Sequence, residues 1–137
     1  MSCERILFGL SLVFLCSPLQ AQTRELHPVP VTNDHDPLYV DPATISRSGS
    51  RVSFKYVLDV PAALQGGDPR RWRSNEMTGV LDCAAKSYSL SYIEAYAGPA
   101  ATGNVVGRSS PTPAERKPAP VVPGGTLAHL AGHLCPR

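Results

Sequence analysis

The chain has 137 residues, of which 42% are hydrophobic and 18% are charged, with 13 lysines and arginines against 11 aspartates and glutamates. This composition is that of a globular domain and excludes an intrinsically disordered chain. The net charge of +2 is too small for the concentrated basic surface of a dedicated nucleic-acid-binding protein.

The first 21 residues have the layout of a secretory signal peptide. Arg5 supplies a positive charge, an apolar run covers residues 6–15, and Pro18 precedes the small residue Ala21 at the predicted cleavage site. The run is shorter than the roughly 20 residues that cross a bilayer, which favours cleavage over an uncleaved membrane anchor. The mature chain is therefore predicted to be exported, as a periplasmic or secreted protein, and cell-surface display stays open.

The cleavage determines which cysteines remain in the mature chain. A lipoprotein signal needs small residues before its acceptor cysteine, so the bulky Leu15 disfavours a lipid anchor on Cys16. Removal of the signal also removes Cys3 and leaves Cys83 and Cys135 as a pair. An even cysteine count in an exported chain predicts a disulfide, and the absence of a C-x-x-C motif disfavours a redox or metal role.

Residues 22–37 begin the mature chain and contain three prolines among polar side chains, which predicts an extended N-terminal lead-in. A single domain is predicted over residues 38–137. It begins with a short strand at 38–40 that ends at Asp41-Pro42, a pair that favours a tight turn. The residues that follow, 43–45, are predicted to form one helical turn.

A reversal at 48–50 leads into the clearest strand pattern, at 51–60. Val52, Phe54 and Tyr56 alternate with polar residues there, so that one face packs and the other is solvated. This alternation is typical of an antiparallel sheet. Further strand segments are predicted at 73–83, 87–97, 105–106 and 121–122.

The last segment predicts a short helix. Its apolar positions recur at i, i+3, i+4 and i+7: Leu127, Leu130, Ala131 and Leu134. Thr126 is an acceptable N-cap, and Pro136 prevents continuation. Cys135 borders the apolar face, so a disulfide to the inward-pointing Cys83 would hold the helix on the sheet. The predicted fold is α+β, a small antiparallel sheet of four to six strands with a C-terminal helix packed on it and tied by a disulfide.

Five short segments, in a fixed order, carry a family resemblance. They are Tyr39–Ile45, Val52–Val60, Arg73–Cys83, Tyr88–Tyr96 and Pro123–Cys135. As an ordered set they resemble the surface-adhesin protein E family of exported bacterial proteins. The resemblance implies an antiparallel sheet with a disulfide-tied C-terminal helix, and binding to host matrix and plasma proteins.

The one concentrated polar signal is Arg70-Arg71-Trp72-Arg73. Three guanidinium groups beside the only tryptophan can hold a carboxylate, sulfate or phosphate by bidentate and cation–π contacts. The segment is therefore a candidate binding site for a protein or an acidic polysaccharide. The alternative is that Trp72 anchors the start of a strand while the arginines stay hydrated.

Other chemistry finds little support in the sequence. His129 and His133 share a helical face but lack further ligands, and the 34–36 segment (DHD) is typical of a solvated turn. There is no G-x-S-x-G, no H-E-x-x-H and no glycine-rich phosphate loop, so neither catalysis nor a cofactor is predicted. The sequence favours an exported, non-enzymatic binding domain. The alternative is a periplasmic structural or accessory envelope protein with no host-binding role.

Overall fold

The computed structural model describes residues 24–32, 36–61 and 72–137. The predicted signal peptide lies outside these residues and stays a prediction. The described strands are β1 (His27–Pro28), β2 (Leu38–Ser48), β3 (Arg51–Asp59), β4 (Ser74–Asp82), β5 (Ser87–Tyr96), β6 (Val105–Ser109) and β7 (Ala119–Pro120), and the helix is α1 (Thr126–Leu134).

The strands form one antiparallel sheet in which β1 to β6 are neighbours in chain order. Each strand from β1 to β5 pairs with the next, because strands that are consecutive in the chain usually lie side by side. The β2–β3 reversal needs only two residues, since Ser48 pairs with Arg51 and Gly49 adopts a φ of 59°. The short β7 pairs with the start of β5, beside the region where β6 pairs with its end.

The core lies between one face of this sheet and α1. Val52, Phe54 and Tyr56 are each at most 5% exposed, and they share a cluster with Leu130 and Leu134 of the helix. A disulfide joins Cys83, just after β4, to Cys135, the residue that ends α1, with 5.7 Å between their Cα atoms. The predicted α+β architecture is therefore confirmed, including the crosslink that holds the helix.

The predicted helical turn at 43–45 is wrong, because β2 continues through it with a bulge between Asp41 and Ser46. Local hydrogen bonds replace the ladder at this point: the Ala43 amide donates to Asp41 Oδ1 (3.1 Å), and Thr44 Oγ1 donates to the Asp41 carbonyl (2.7 Å) while it accepts from the Lys55 amide (2.9 Å). Proline lacks an amide hydrogen, so a bulge is one of the few places in a sheet that accept it.

Part of the extended lead-in joins the sheet. β1 pairs with Tyr39 and Val40 of β2, and the Val29 amide donates to the Leu38 carbonyl at 2.8 Å. Val29 is 4% exposed and belongs to the core cluster. At the other end of the chain, the last pairing segment is at 119–120 rather than 121–122, although the Val121 amide still donates to the Lys86 carbonyl.

Candidate functional site

The predicted binding segment is only partly described, since Arg70 and Arg71 lie outside the described residues. Trp72 is half-buried and its indole N–H donates to Asn75 Oδ1 at 2.7 Å, so the ring is fixed against the start of β4. Arg73 is exposed, and its amide donates to the Tyr96 carbonyl at 2.8 Å. The segment therefore enters the sheet directly beside the end of β5.

A second group of polar residues lies on the side of the sheet that faces away from α1, here called the polar face. Successive strand residues point to opposite sides, so the residues that alternate with the core positions share this face across the register. Its strand residues include Asp41, Lys55, Glu76, Tyr92, Glu94 and Tyr96. Residues of one face meet only through strand register, which explains why the sequence did not reveal them as a group.

Glu94 is the centre of one hydrogen-bonded cluster on the polar face. Tyr96 Oη donates to Glu94 Oε2 at 3.0 Å, while Tyr92 Oη and Arg108 Nε donate to Oε1, each at 3.3 Å. The Tyr96 hydrogen bond, with help from Arg108 and Tyr92, lowers the pKa of Glu94. Glu94 is thus held as a carboxylate, and two tyrosine rings and an arginine are positioned around it.

A charged cluster lies beside it. Arg24 pairs with Asp41 at 2.9 Å and also donates to Glu76, and Lys55 Nζ lies 3.7 Å from Glu76. The two carboxylates are buried, with side chains only 9% and 6% exposed, whereas Arg24 keeps 35% of its side-chain surface. Buried carboxylates need such partners because an unpaired charge in the interior is costly. The cluster therefore anchors the N-terminal segment to the polar face.

Val57 shows how closely this face is covered near Arg24. It lies on the polar face, opposite Glu76 in the register, and yet it is fully buried. The tyrosine end of the face is more open, with Tyr92 and Tyr96 half-buried and Arg108 exposed. An accessible part of the face therefore lies next to Trp72 and Arg73.

The remaining candidate chemistry can be placed as well. His129 is half-buried and His133 is exposed. Within residues 24–32, 36–61 and 72–137, no group of three or more histidine, cysteine, aspartate or glutamate side chains has the geometry to hold a metal. The same part of the chain contains no helix long and apolar enough to cross a membrane.

Comparison with known proteins identifies a family. The profile of the family described as surface-adhesin protein E matches residues 26–136. A search of curated proteins found no match. The matched range includes β1 to β7, α1 and the disulfide, so it covers the whole described fold apart from Arg24, Glu25 and the last residue.

Solved structures show the same fold. Crystal form II of Haemophilus influenzae protein E aligns with a TM-score of 0.60 and 18% identity, over 84% of this chain and 93% of that chain. The selenomethionine form aligns with a TM-score of 0.59 and 20% identity, over 79% of this chain and 84% of that one. A further H. influenzae protein E structure has a TM-score of 0.56 and 21% identity, over 88% of this chain and 90% of the other.

Proposed function

Because the chain belongs to the surface-adhesin protein E family, we propose that it is an exported, non-enzymatic domain that binds another macromolecule. The observation that carries the proposal is the family match over residues 26–136. The family description suggests adhesion at the cell surface, and the arginine-rich segment 70–73 favours a protein or an acidic polysaccharide as the partner.

The composition of the polar face supports contact with a macromolecule. Tyrosine, tryptophan and arginine are the residues most enriched at binding hot spots. Here Tyr92, Tyr96 and Arg108 lie around Glu94, and Trp72 and Arg73 join the sheet beside Tyr96. Hydrogen bonds fix the side chains of Trp72, Tyr92, Tyr96 and Arg108 in advance, so less conformational entropy is lost on binding.

The arginines give the contact its expected charge dependence. Arg73 and Arg108 are exposed, and Arg70 and Arg71 adjoin Trp72 in the sequence. Since the net charge of the chain is only +2, attraction to an acidic partner comes from this local concentration. Binding should weaken as salt rises, because exposed charges are screened over a Debye length of about 8 Å at physiological ionic strength.

The test is retention of the purified domain on immobilised host matrix proteins and heparin. Replacing Arg70, Arg71 and Arg73 with serine should reduce retention, and so should Tyr92→Ser with Tyr96→Ser. The matched control is a triple variant with the same charge change at exposed sites outside the strands: Lys86→Ser, Lys117→Ser and Arg137→Ser. Equal loss in both triple variants would indicate non-specific charge attraction. Full retention by the folded Arg70/Arg71/Arg73 variant would remove this segment from the site.

A second function, a periplasmic accessory role without host contact, is favoured by one observation. Leu15 directly precedes Cys16, so the sequence lacks the small residues that lipid attachment requires. Protease treatment of intact cells separates the two functions, because a surface protein is digested and a periplasmic one is protected until the outer membrane is opened. Protection on intact cells would overturn the adhesin proposal in favour of the accessory role.

A further inference from the structure

A cavity of about 640 Å³ lies where the β2–β3 reversal meets the C-terminal end of α1. It is on the helix side of the sheet, away from the polar face. Its lining includes Arg47, Ser50, Val52, His133, Leu134 and the Cys83–Cys135 disulfide. The volume is within the range of about 300–1,000 Å³ that is usual for small-molecule sites.

The lower wall of the cavity is apolar. Ala84 and Pro136 are exposed there beside the half-buried disulfide, and Val52 and Leu134, 2% and 3% exposed, lie beneath them. An apolar chain lying there would cover surface that the fold leaves partly open to water. Burial of this kind contributes about 25 cal/mol per Å² of apolar area.

The rim of the cavity is basic. Arg47 donates from Nη1 to the Leu134 carbonyl at 2.6 Å, which holds its guanidinium at the edge. An arginine has five N–H donors, and among the described residues this is the one side-chain hydrogen bond that Arg47 makes. His133 also lines the cavity, and none of the lining residues is acidic. An anionic group is therefore the complement of this rim.

We propose that the cavity binds a fatty-acid carboxylate. The planar guanidinium of Arg47 matches a carboxylate through two parallel N–H···O bonds, while the alkyl chain lies over Ala84, Pro136 and the disulfide. The ligand would occupy a site separate from the polar face, so this binding is independent of the adhesin proposal.

The experiment uses dodecanoate, below its micelle concentration, as the probe for the full mature chain, with calorimetry and chemical-shift mapping as readouts. Saturable binding with shifts confined to the cavity is expected. Arg47→Gln should weaken binding about tenfold or more, because a charge-assisted hydrogen-bond pair is lost while the glutamine amide can still donate to the Leu134 carbonyl. Ala84→Trp keeps the charge and fills the cavity, so it should also weaken binding. Lys117→Gln, which removes one exposed charge elsewhere, should bind like the parent.

Two further measurements test whether the cavity selects an anionic ligand and whether a second copy of the chain occupies it instead. Dodecyltrimethylammonium has the same tail with the opposite charge and should bind at least tenfold more weakly than dodecanoate. Equal affinity for both, no saturable dodecanoate binding, or unchanged binding by folded Arg47→Gln would each overturn the proposal. Sedimentation tests the other occupant: a dimer that dissociates in Ala84→Trp and is unaffected by dodecanoate would show that a second copy of the chain fills the cavity.

Discussion

The Tyr88 ring lies so close to the Cα of Gly79 that a Cβ atom at position 79 would overlap the ring and its hydroxyl. The absence of a side chain lets the ring cross β4 and donate its hydroxyl hydrogen to Tyr56 Oη at 3.1 Å. Tyr56, Tyr88 and Phe54 form one aromatic group beneath the helix, with ring centroids 5.6 to 6.4 Å apart. Gly79 is therefore a packing requirement of the core.

We expect Gly79→Ala to lower the free energy of unfolding by about 2 kcal/mol, because the added methyl group forces the Tyr88 ring out of its packed position. Chemical denaturation with an unchanged m-value measures the effect. Gly132→Ala on α1 is the matched control, because a Cβ atom at that position meets open space. This substitution should stabilise the protein by up to about 1 kcal/mol. Equal unfolding midpoints for the Gly79→Ala variant and the parent would contradict this account of the core.

The buried tyrosine pair should also be visible in the alkaline titration. Burial raises the pKa of Tyr56 and of Tyr88 above the usual value of 10.0. The folded state therefore favours the neutral phenols. Their contribution to the stability of the protein is complete below pH 10 and is lost as pH rises further. Above pH 10, each of the two tyrosines lowers the free energy of unfolding by up to about 1.4 kcal/mol per pH unit.

Absorbance at 295 nm, recorded with circular dichroism, checks this expectation. The chain has five tyrosines, and those at 56 and 88 should ionise only as the protein unfolds. Reversible ionisation of all five near pH 10, in a chain that keeps its native dichroism, would contradict the buried pair.

The sequence predicted the strands and the helix because each of these elements has its own hydrophobic period. The alternation in β3 and the i, i+3, i+4, i+7 pattern of α1 appear without knowledge of their neighbours. The bulge in β2 escaped prediction because Asp41-Pro42 is equally compatible with a turn. It is the Lys55 amide on the next strand, bonded to Thr44 Oγ1, that determines the local structure.

The same distinction applies to the candidate site. Arg70–Arg73 is contiguous in sequence and could be recognised directly. The Glu94 cluster collects side chains from β5 and β6, and the Arg24 cluster collects them from the N-terminal segment and from β2, β3 and β4. Neither cluster can be predicted without the strand register. Arg24 was especially hidden, because prolines and polar residues around it suggested a lead-in outside the domain.

The disulfide should account for a large share of the stability. It closes a loop with a sequence separation of 52 residues, which is worth about 4 kcal/mol in the chain-entropy description. Cys83→Ser with Cys135→Ser should lose about that much in denaturant unfolding, and amide exchange should accelerate most in α1. The helix depends on the crosslink because it has nine residues and no side-chain N-cap bond. A double variant as stable as the parent, with a protected helix, would show that packing alone holds α1.

The β5–β6 connection contains a turn whose sequence does not suit its backbone. Ala100 and Ala101 have φ values of 52° and 54°, and the Thr102 amide donates to the Pro99 carbonyl at 3.1 Å, as in a type I′ turn. Alanine is disfavoured at such angles, whereas Asn-Gly adopts them readily. The turn is held by Asp59 and Ser74, whose side-chain oxygens accept from the Ala100 and Ala101 amides at 2.8 and 2.9 Å.

Ala100→Asn with Ala101→Gly should therefore stabilise the protein by about 1–2 kcal/mol, measured as a higher thermal midpoint and unfolding free energy. The control is Ala97→Gly in the same connection, where φ is not positive and glycine should destabilise. If both variants lose stability, the left-handed turn is not formed in solution.

Arg24 provides the sharpest test of the N-terminal boundary, because it pairs with the buried carboxylates of Asp41 and Glu76. Arg24→Met keeps much of the aliphatic stem and removes the charge. Within the described part of the chain, Lys55 is then the remaining cation within 4 Å of Glu76. We expect a loss of about 2 kcal/mol, less than for a fully buried pair because Arg24 is partly exposed. Arg24→Lys should lose less, since the charge is retained.

The double-mutant cycle with Glu76→Gln separates this ion pair from general effects of the N-terminal segment. If the pair is formed, Arg24→Met should cost measurably less in the Glu76→Gln background, with a coupling energy of at least about 0.5 kcal/mol. A coupling energy of zero, with each single variant as stable as the parent, would place Arg24 outside the folded domain, as the sequence pattern suggested. A non-zero coupling would move the start of the domain upstream of β1, because Arg24, which lies before that strand, would then supply the charge that pairs with the buried Glu76.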